Sequence, residues 1–420
     1  CVAPLWSANA HMLTVDIPMT SVFFMTLSVI VRRPDLWRLA SVLAGCAAAI
    51  KYPGALALSG IWAVFFVEER SVRLRLLRSI EAGAIAFATF LFFNPFIILD
   101  MRDFSHDFFL EIMHSRVGHP GFTVENGFSF HLLKSIPMGF GLIGYLAALA
   151  GLGVFTVGFP RLAARVAILV PMILFVVVIG MSRLGFVRYA LPLLPFAALF
   201  FGLAFSQVQR LLAGTIHPVW GDLGVCLFAA ALIGPIWQSS RQVELLTKAD
   251  TREISTDILE KASIGDAKTD YSLAATTRWV DQAQRRWTHF FNVCGGKTRP
   301  CTVSVVDSFE LEQQPYTAAQ NARFKDQWKK LIGAVGVLQI NPYSSPIDDV
   351  TLDRENIYSA YGSELPFRRL RGPLIEIYIY DPQYIAALRA TCAHYPSCTF
   401  LQGSQARYGV RLAGIYSREN

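Results

Sequence analysis

The sequence carries little charge for its length. Only 16% of its 420 residues are Asp, Glu, Lys or Arg, whereas 53% are hydrophobic and the mean hydropathy is +0.40. A soluble domain of this size would carry charge on about a quarter of its residues. The shortage lies between Asp16 and about residue 238. We therefore predict a mainly α-helical membrane protein, with a transmembrane bundle in residues 1–238 and a soluble α+β domain in residues 239–420.

Other features that would indicate a different class of protein are also missing from the sequence. The net charge is +7, but no patch of basic residues interleaved with aromatic residues occurs, so nucleic acid is not an expected partner. No internal repeat or low-complexity tract is present. The sequence starts at Cys1 without a signal peptide, so we expect an upstream part with further spans and a first loop to be missing.

Long apolar runs predict the membrane spans. These runs are residues 14–31, 79–97, 132–157, 166–182, 188–206 and 223–238. The apolar region 39–67 differs because Lys51-Tyr52-Pro53-Gly54 interrupts it, and each half is shorter than the ~20 residues that cross a bilayer. We predict two short helices in this region, 39–50 and 54–67, which meet back to back with Lys51 at the tip.

Arginines in the breaks between these runs predict the topology. They occur in every second break, as Arg32, Arg33 and Arg38, then Arg70, Arg73, Arg75 and Arg78, then Arg161 and Arg165, and then Arg210. Arginine-rich loops stay in the cytoplasm, so all these breaks are predicted to face it. The opposite face then receives residues 1–13, Lys51, the loop 98–131, the turn from Arg183 to Arg188 and everything after residue 239.

The C-terminal domain shows short strand patterns and helix patterns. The segments CTVSVV, GVLQI and LIEIYIY predict strands, and TREISTDILEKA and AAQNARFKDQWKKLI predict helices. Its cysteines form two close pairs, Cys294 with Cys301 and Cys392 with Cys398, which predict two disulfides on a non-cytoplasmic face. A zinc site is the weaker alternative, because the spacing matches no zinc finger. Cys46 and Cys226 fall within spans and are expected to be inert.

Several ionisable residues converge on the exit-side surface. Asp16 is the candidate catalytic acid, although it could instead cap the helix that it begins. Lys51 could bind an anion. Alternatively, its long side chain could simply place the ammonium group at the membrane–water interface. Arg183 and Arg188 flank a short turn, where they could bind a lipid phosphate or anchor the interface. His11 belongs to the same surface and joins Lys51, Arg183 and Arg188 as a substrate-binding candidate.

Residues 101–116 place charged side chains along one face of a predicted surface helix. Asp103, Asp107, Glu111 and His114 recur at intervals of four and three residues. This stripe could be the solvated face of an interfacial helix. Alternatively, Glu111 and His114, with the nearby His119, could hold a divalent metal ion, because carboxylate and imidazole ligands suit such an ion.

Five segments together resemble a known enzyme family. HMLTVDIPMTSVFF, AGCAAAIKYPGALAL, FFNPFIILD, GHPGF and RYALPLLPF occur in this order within about residues 5–210. They are similar to segments of the polytopic glycosyltransferases of the C-type fold. The nearest relatives in this resemblance are the dolichyl-phosphate-mannose protein mannosyltransferases and the aminoarabinose transferases of lipid A.

The resemblance implies an inverting transfer of a sugar from a polyprenyl-phosphate carrier to an acceptor on the exit face. It implies that Asp16 is the site acid, that Lys51 and Arg188 contact the carrier phosphate, and that His114 or His119 matches the loop histidine of the family. It also implies a divalent metal ion and location in a bacterial inner membrane. The family's catalytic base lies in a loop that would precede Cys1, and the soluble domain departs from the family pattern.

Two other functions compete with a glycosyltransferase. A transporter would need broken helices and polar groups near the membrane midplane, whereas the polar residues here cluster at one face. A non-catalytic membrane scaffold would use its soluble domain to bind a partner. Neither the sugar nor the acceptor, which could be a protein, a lipid or a glycan, follows from the sequence.

Overall fold

The chain divides into two compact units, Cys1–Gln242 and Val243–Asn420. A computed structural model describes residues 3–10, 14–118, 123–158, 161–215, 218–262, 290–294, 301–307, 333–344, 367–370, 372 and 374–402. The sequence placed the division after residue 238, and the structure places it after Gln242. The first unit is helical, and the second combines helices with a sheet.

The helices are named in chain order. They are α1 (Pro4–Ala10), α2 (Asp16–Arg32), α3 (Trp37–Ile50), α4 (Ala57–Glu68), α5 (Val72–Phe93), α6 (Phe96–Leu99), α7 (Met101–Val117), α8 (Gly127–Phe130), α9 (Ile136–Phe140), α10 (Leu142–Gly158), α11 (Leu162–Gly180), α12 (Leu194–Thr215) and α13 (Pro218–Leu246). Three short segments with other helical geometries connect these helices. They are the 3₁₀ segments Tyr52–Leu56 and Val187–Leu193 and the π-helical turn His131–Ser135.

Three helical stretches within the described residues are long and apolar enough to cross a membrane. They are Val72–Phe93, Leu162–Gly180 and Val187–Leu211, and the count becomes four if the bent pair Gly127–Phe140 and Leu142–Gly158 is one broken span. Only 11% of the apolar window of α5 is buried inside the protein, as expected for a helix that faces lipid. This pattern is that of a membrane protein.

The predicted span 132–157 is not one straight helix. The chain bends by 114° between α9 and α10. Gly141 occupies the bend with a φ of +82°, a conformation that residues with a side chain rarely adopt. Hydropathy alone missed the bend, because Gly141 lies inside an apolar run.

The predicted interruption at Lys51 is confirmed. Helix α3 ends at Ile50, Lys51 is extended, and the 3₁₀ segment Tyr52–Leu56 leads into α4. Pro53 has no N–H group to donate within a helix, which favours a break here. The two short helices meet with Lys51 at their junction, as the sequence predicted.

Most of the arginine-rich breaks lie at one end of the first unit. Arg38 lies in the first turn of α3 and pairs with Glu81 of α5 at 2.7 Å. Arg161, just before α11, lies 3.9 Å from Glu68 at the end of α4. These pairs connect three breaks that are far apart in sequence. The shared end supports the predicted alternation of the chain.

The second unit contains a five-stranded antiparallel sheet. Its strands are β1 (Phe290–Cys294), β2 (Cys301–Asp307), β3 (Gly336–Ile340), β4 (Ile375–Ile379) and β5 (Cys398–Gln402), in the spatial order β1-β2-β4-β3-β5. The helices α14 (Thr251–Lys261) and α15 (Ile385–Cys392) contribute to its apolar core. The three predicted strands and the first predicted helix are confirmed, whereas β1, β5 and α15 were not predicted. The predicted helix 318–332 lies outside the described residues.

The two predicted disulfides have different outcomes. Cys392 and Cys398 form a disulfide that links the end of α15 to the start of β5, which confirms this pair. Cys294 and Cys301 oppose each other in the register of β1 and β2, but their side chains lie outside the described residues. That bond therefore stays a prediction. Cys46 and Cys226 are free thiols.

Removal of the Cys392–Cys398 bond should weaken the sheet edge. The bond closes a short loop, so the double variant Cys392→Ser/Cys398→Ser should lose about 2 kcal/mol of stability. Hydrogen exchange of peptides from β5 and α15 measures this change, and peptides from α14 serve as an internal control. Peptide mapping without reductant that finds both thiols free in the native protein would contradict the bond.

Candidate functional site

Asp16 and Lys51 lie 35 positions apart in the sequence and form an ion pair in the structure. The Lys51 Nζ atom lies 2.5 Å from the Asp16 Oδ1 atom. Only 5% of the Asp16 side chain is exposed, and 27% of the Lys51 side chain. A buried carboxylate is costly without a cationic partner. Each of the two charges therefore depends on the other, and the two residues form a single ion-paired unit.

The start of α2 places Asp16 at this position. Asp16 is the first residue of the helix, where the helix dipole favours a negative charge. The N-cap is Val15, and it makes no side-chain capping bond. The alternative interpretation of Asp16 as a helix cap is therefore wrong, and its carboxylate is directed to Lys51 instead.

The turn after α3 places Lys51. The Gly54 N–H donates to the Lys51 carbonyl oxygen at 2.8 Å, which closes the turn. Gly54 also packs directly on α3, because a Cβ atom there would collide with the Ala47 carbonyl group. A glycine is thus needed for the close approach that brings Lys51 back toward α2.

An aromatic pair supports the cations of the site. The Lys51 Nζ atom lies 4.6 Å from the centre of the Tyr189 ring. The Arg188 guanidinium lies 4.4 Å from the centre of the Phe186 ring and 5.8 Å from that of Tyr189. Cations are attracted to the faces of aromatic rings at such distances. Tyr189 therefore connects Lys51 and Arg188, although they come from opposite halves of the unit.

Asp16, Lys51 and Arg188 together carry one net positive charge. Asp16 neutralises Lys51, but no described residue forms an ion pair with Arg188. An ammonium group has three N–H donors, and the bond to Asp16 uses one of them. Lys51 therefore keeps two N–H donors that the Asp16 bond does not use, and Arg188 is a second cation on the same Tyr189 ring. We define the Asp16/Lys51/Arg188/Tyr189 group as the charged cluster.

The turn before the charged cluster is held by backbone hydrogen bonds. The Arg183 N–H donates to the Ser115 carbonyl at the end of α7, at 2.8 Å. The Val124 N–H donates to the Arg183 carbonyl at 2.9 Å, next to the bridge between Thr123 and Leu184. The Arg183 side chain is exposed. Its position fits a peripheral contact to an anion or to lipid headgroups.

The predicted metal ligands do not form a complete set. Glu111 is exposed on α7, and His114 lies three residues later and is half-buried. Groups of three or more His, Cys, Asp or Glu residues with metal-binding spacing are absent from the described residues. His119 and His11 lie outside these residues. Two ligands on an exposed helix do not define a metal site, so we derive no step through a metal ion.

An apolar cavity is lined by residues that include Tyr52, the direct neighbour of Lys51 in the chain. Its volume is about 420 Å³, and its lining is formed by Ala44, Ala48, Tyr52, Ala55, Leu58, Gly83, Ala86, Phe87, Phe90, Phe104 and Phe108. These residues come from α3, the 3₁₀ segment, α4, α5 and α7. The Tyr52 ring meets Phe108 edge to face at 5.5 Å, so α7 closes one side. We call this space the aromatic groove.

The aromatic residues of the site were missed by the sequence analysis. Tyr189 and Phe186 flank Arg188, and Tyr52 follows Lys51 directly, so adjacency to a candidate cation was an available signal. Phe104 and Phe108 are spaced by four residues on the same helix as the charged stripe. The prediction for that helix depends on its polar face, whereas its aromatic residues Phe104 and Phe108 line the groove.

Comparison of the chain with protein-family models, with curated proteins and with solved structures finds no match. The resemblance to C-type glycosyltransferases therefore depends on the five sequence segments quoted above. The structure brings together residues from two of those segments. Asp16 belongs to the first of them and Lys51 to the second.

Proposed function

We propose that this chain is a membrane glycosyltransferase. It would transfer a sugar, with inversion, from a polyprenyl-phosphate carrier to an acceptor at the exit face of a bacterial inner membrane. In this proposal the first unit is a C-type glycosyltransferase bundle, and the second unit lies outside the cytoplasm. The acceptor, whether protein, lipid or glycan, binds at the same membrane edge.

One observation carries the proposal: the charged cluster and the aromatic groove meet at consecutive residues. Lys51 belongs to the cluster, and Tyr52 lines the groove. A polyprenyl phosphate has the same two parts, an anionic head and an apolar unsaturated chain. Arginine and lysine bind phosphate oxygens through charge-assisted hydrogen bonds, and aromatic walls suit the chain.

The chemistry requires a good leaving group and an acceptor for one proton. The acceptor hydroxyl oxygen forms a bond to the anomeric carbon while the bond from that carbon to the phosphate oxygen breaks. The bonding electrons leave with the polyprenyl phosphate, whose charge Lys51 and Arg188 stabilise. The hydroxyl proton passes to a carboxylate. The resemblance places the family's base in an upstream loop, but within the described residues of the first unit Asp16 is the buried carboxylate that pairs with Lys51, so our proposal assigns the proton to Asp16.

Binding of farnesyl phosphate to the purified chain in lipid nanodiscs tests the recognition step. We expect farnesyl phosphate to bind and farnesol to bind much more weakly, because only the phosphate can contact the cluster. Failure of the folded protein to prefer the phosphate would contradict the proposal. Transfer is tested with a radiolabelled polyprenyl-phosphate hexose and the product of the complete gene.

Arg188→Gln should weaken this binding by about tenfold or more, because a charge-assisted hydrogen bond contributes ~1.5–3 kcal/mol. Arg210→Gln is the matched control, since Arg210 lies toward the other end of the apolar stretch that carries Arg188 and bonds only to the nearby Ser206 carbonyl in the described residues. Equal affinity of the two variants would show that Arg188 does not contact the phosphate.

A transporter is the second candidate, and the bend between α9 and α10 favours it. Broken helices with a polar group at the break are typical of transporter sites. Asp16 and Lys51, however, lie at helix ends rather than in the middle of a span. Counterflow of a labelled substrate in proteoliposomes, without chemical change of that substrate, would favour the transporter.

A further inference from the structure

His131 is a buried ionisable residue with no role in the chemistry above. Only 1% of its surface is exposed, and it begins the π-helical turn His131–Ser135. Its Nδ1 atom lies 3.0 Å from the Oγ atom of the buried Ser135. Single π-helical turns are frequent at functional sites, and buried ionisable residues in membrane proteins usually have a function.

The segment that carries His131 packs beside the turn that precedes the charged cluster, and the second ring nitrogen of His131 is buried there. The Nε2 atom has no hydrogen-bond partner among the described residues, and the Leu184 backbone lies near the ring. Gly127, four residues before His131, packs against the Ser182 carbonyl group so closely that a Cβ atom would collide with it. The helical segment of His131 therefore packs directly on the Ser182–Leu184 turn.

Hydrogen bonds to the Ser182 side chain stabilise the conformation of this turn. The Leu184 N–H donates to the Ser182 Oγ atom at 3.1 Å, and the Ser115 hydroxyl donates to the same oxygen at 3.1 Å. The turn continues through Phe186, which is extended, into the 3₁₀ segment that carries Arg188 and Tyr189. A shift of Leu184 would therefore move the aromatic pair that supports both cations.

We propose that His131 is a positioning residue for the charged cluster. Its Nε2–H group holds the Leu184 backbone through one water molecule, and the Ser135 hydroxyl fixes the ring by donating to Nδ1. The turn is thereby kept in the register that places Arg188 and Tyr189 beside Lys51. This inference rests on the proposed function, because it assigns His131 to the binding of the same anionic head.

Three substitutions separate the two ring nitrogens. Gln places its amide nitrogen near the position of Nε2, Asn places it near that of Nδ1, and Phe keeps the ring without either nitrogen. We expect His131→Gln to bind farnesyl phosphate in nanodiscs nearly as tightly as the native protein. His131→Asn and His131→Phe should bind it about tenfold more weakly, with farnesol binding unchanged.

Thermal stability distinguishes positioning from a general packing role. The inference requires that His131→Asn lose affinity without a matching loss of thermal stability. It is overturned if all three variants bind farnesyl phosphate like the native protein, or if affinity falls only in proportion to stability in every variant, Gln included. If the native protein itself does not bind farnesyl phosphate, the proposed function fails, whereas normal binding with neutral His131 variants removes this inference alone.

Discussion

Asp16→Asn is expected to raise the affinity for the donor and to reduce turnover. The native carboxylate neutralises Lys51 at 2.5 Å, so its replacement by an amide leaves the ammonium charge available to a phosphate. We expect the affinity for farnesyl phosphate to rise about tenfold. Sugar transfer by the product of the complete gene should fall by about 10²–10⁴-fold, because the carboxylate that takes the proton is missing.

Opposite changes in affinity and turnover are the decisive feature of this prediction. A carboxylate with a purely structural role would lower both when it is lost, or neither. Asp35→Asn is the matched control, because Asp35 pairs with Arg33 at an exposed break of the same unit. If Asp16→Asn retains full turnover, then Asp16 does not take the proton in the reaction, and the ion pair serves to position Lys51.

Lys51→Met is expected to destabilise the first unit by about 3–5 kcal/mol. The substitution leaves the Asp16 carboxylate, which is only 5% exposed, without its cation in a site of low polarity. The double variant Asp16→Asn/Lys51→Met should recover most of this loss, since a neutral pair needs no counter-charge. Chemical denaturation in detergent, followed by tryptophan fluorescence, measures both changes.

The same two variants also separate stability from binding. Neither Lys51→Met nor the double variant should bind farnesyl phosphate tightly, because the cation is absent in both. A stable double variant that binds farnesyl phosphate like the native protein would show that Lys51 is a structural residue. A single Lys51→Met variant as stable as the native protein would show that the Asp16 carboxylate is not confined by burial.

Local chemistry made part of the fold predictable. The break at Lys51 followed from Pro53 and Gly54, which cannot continue a regular helix without cost. The strands at Cys301, Gly336 and Ile375 followed from β-branched residues in short runs. The bend at Gly141 did not follow, because a glycine inside an apolar run can either continue a helix or end it.

The site was predictable only as separate residues. Asp16, Lys51 and Arg188 were candidates because ionisable groups near apolar segments are costly and usually have a function. Their mutual arrangement was not available, and neither was the support of both cations by Tyr189. The aromatic groove was missed entirely, because its lining comes from several segments and each segment looks like ordinary apolar sequence.

The sequence by itself determined which segments are apolar, where they break, and which charges lie at their ends. These properties depend on residues that are neighbours in the chain, such as the arginines of one loop or the Pro-Gly after Lys51. The tertiary structure alone decided that Asp16 pairs with Lys51 and that a groove opens beside Tyr52. Because each of these helices is apolar, it must be buried in lipid or protein, but hydropathy does not specify which helices become its neighbours. Close packing of small residues, such as Gly54 against Ala47, decides which helices pair.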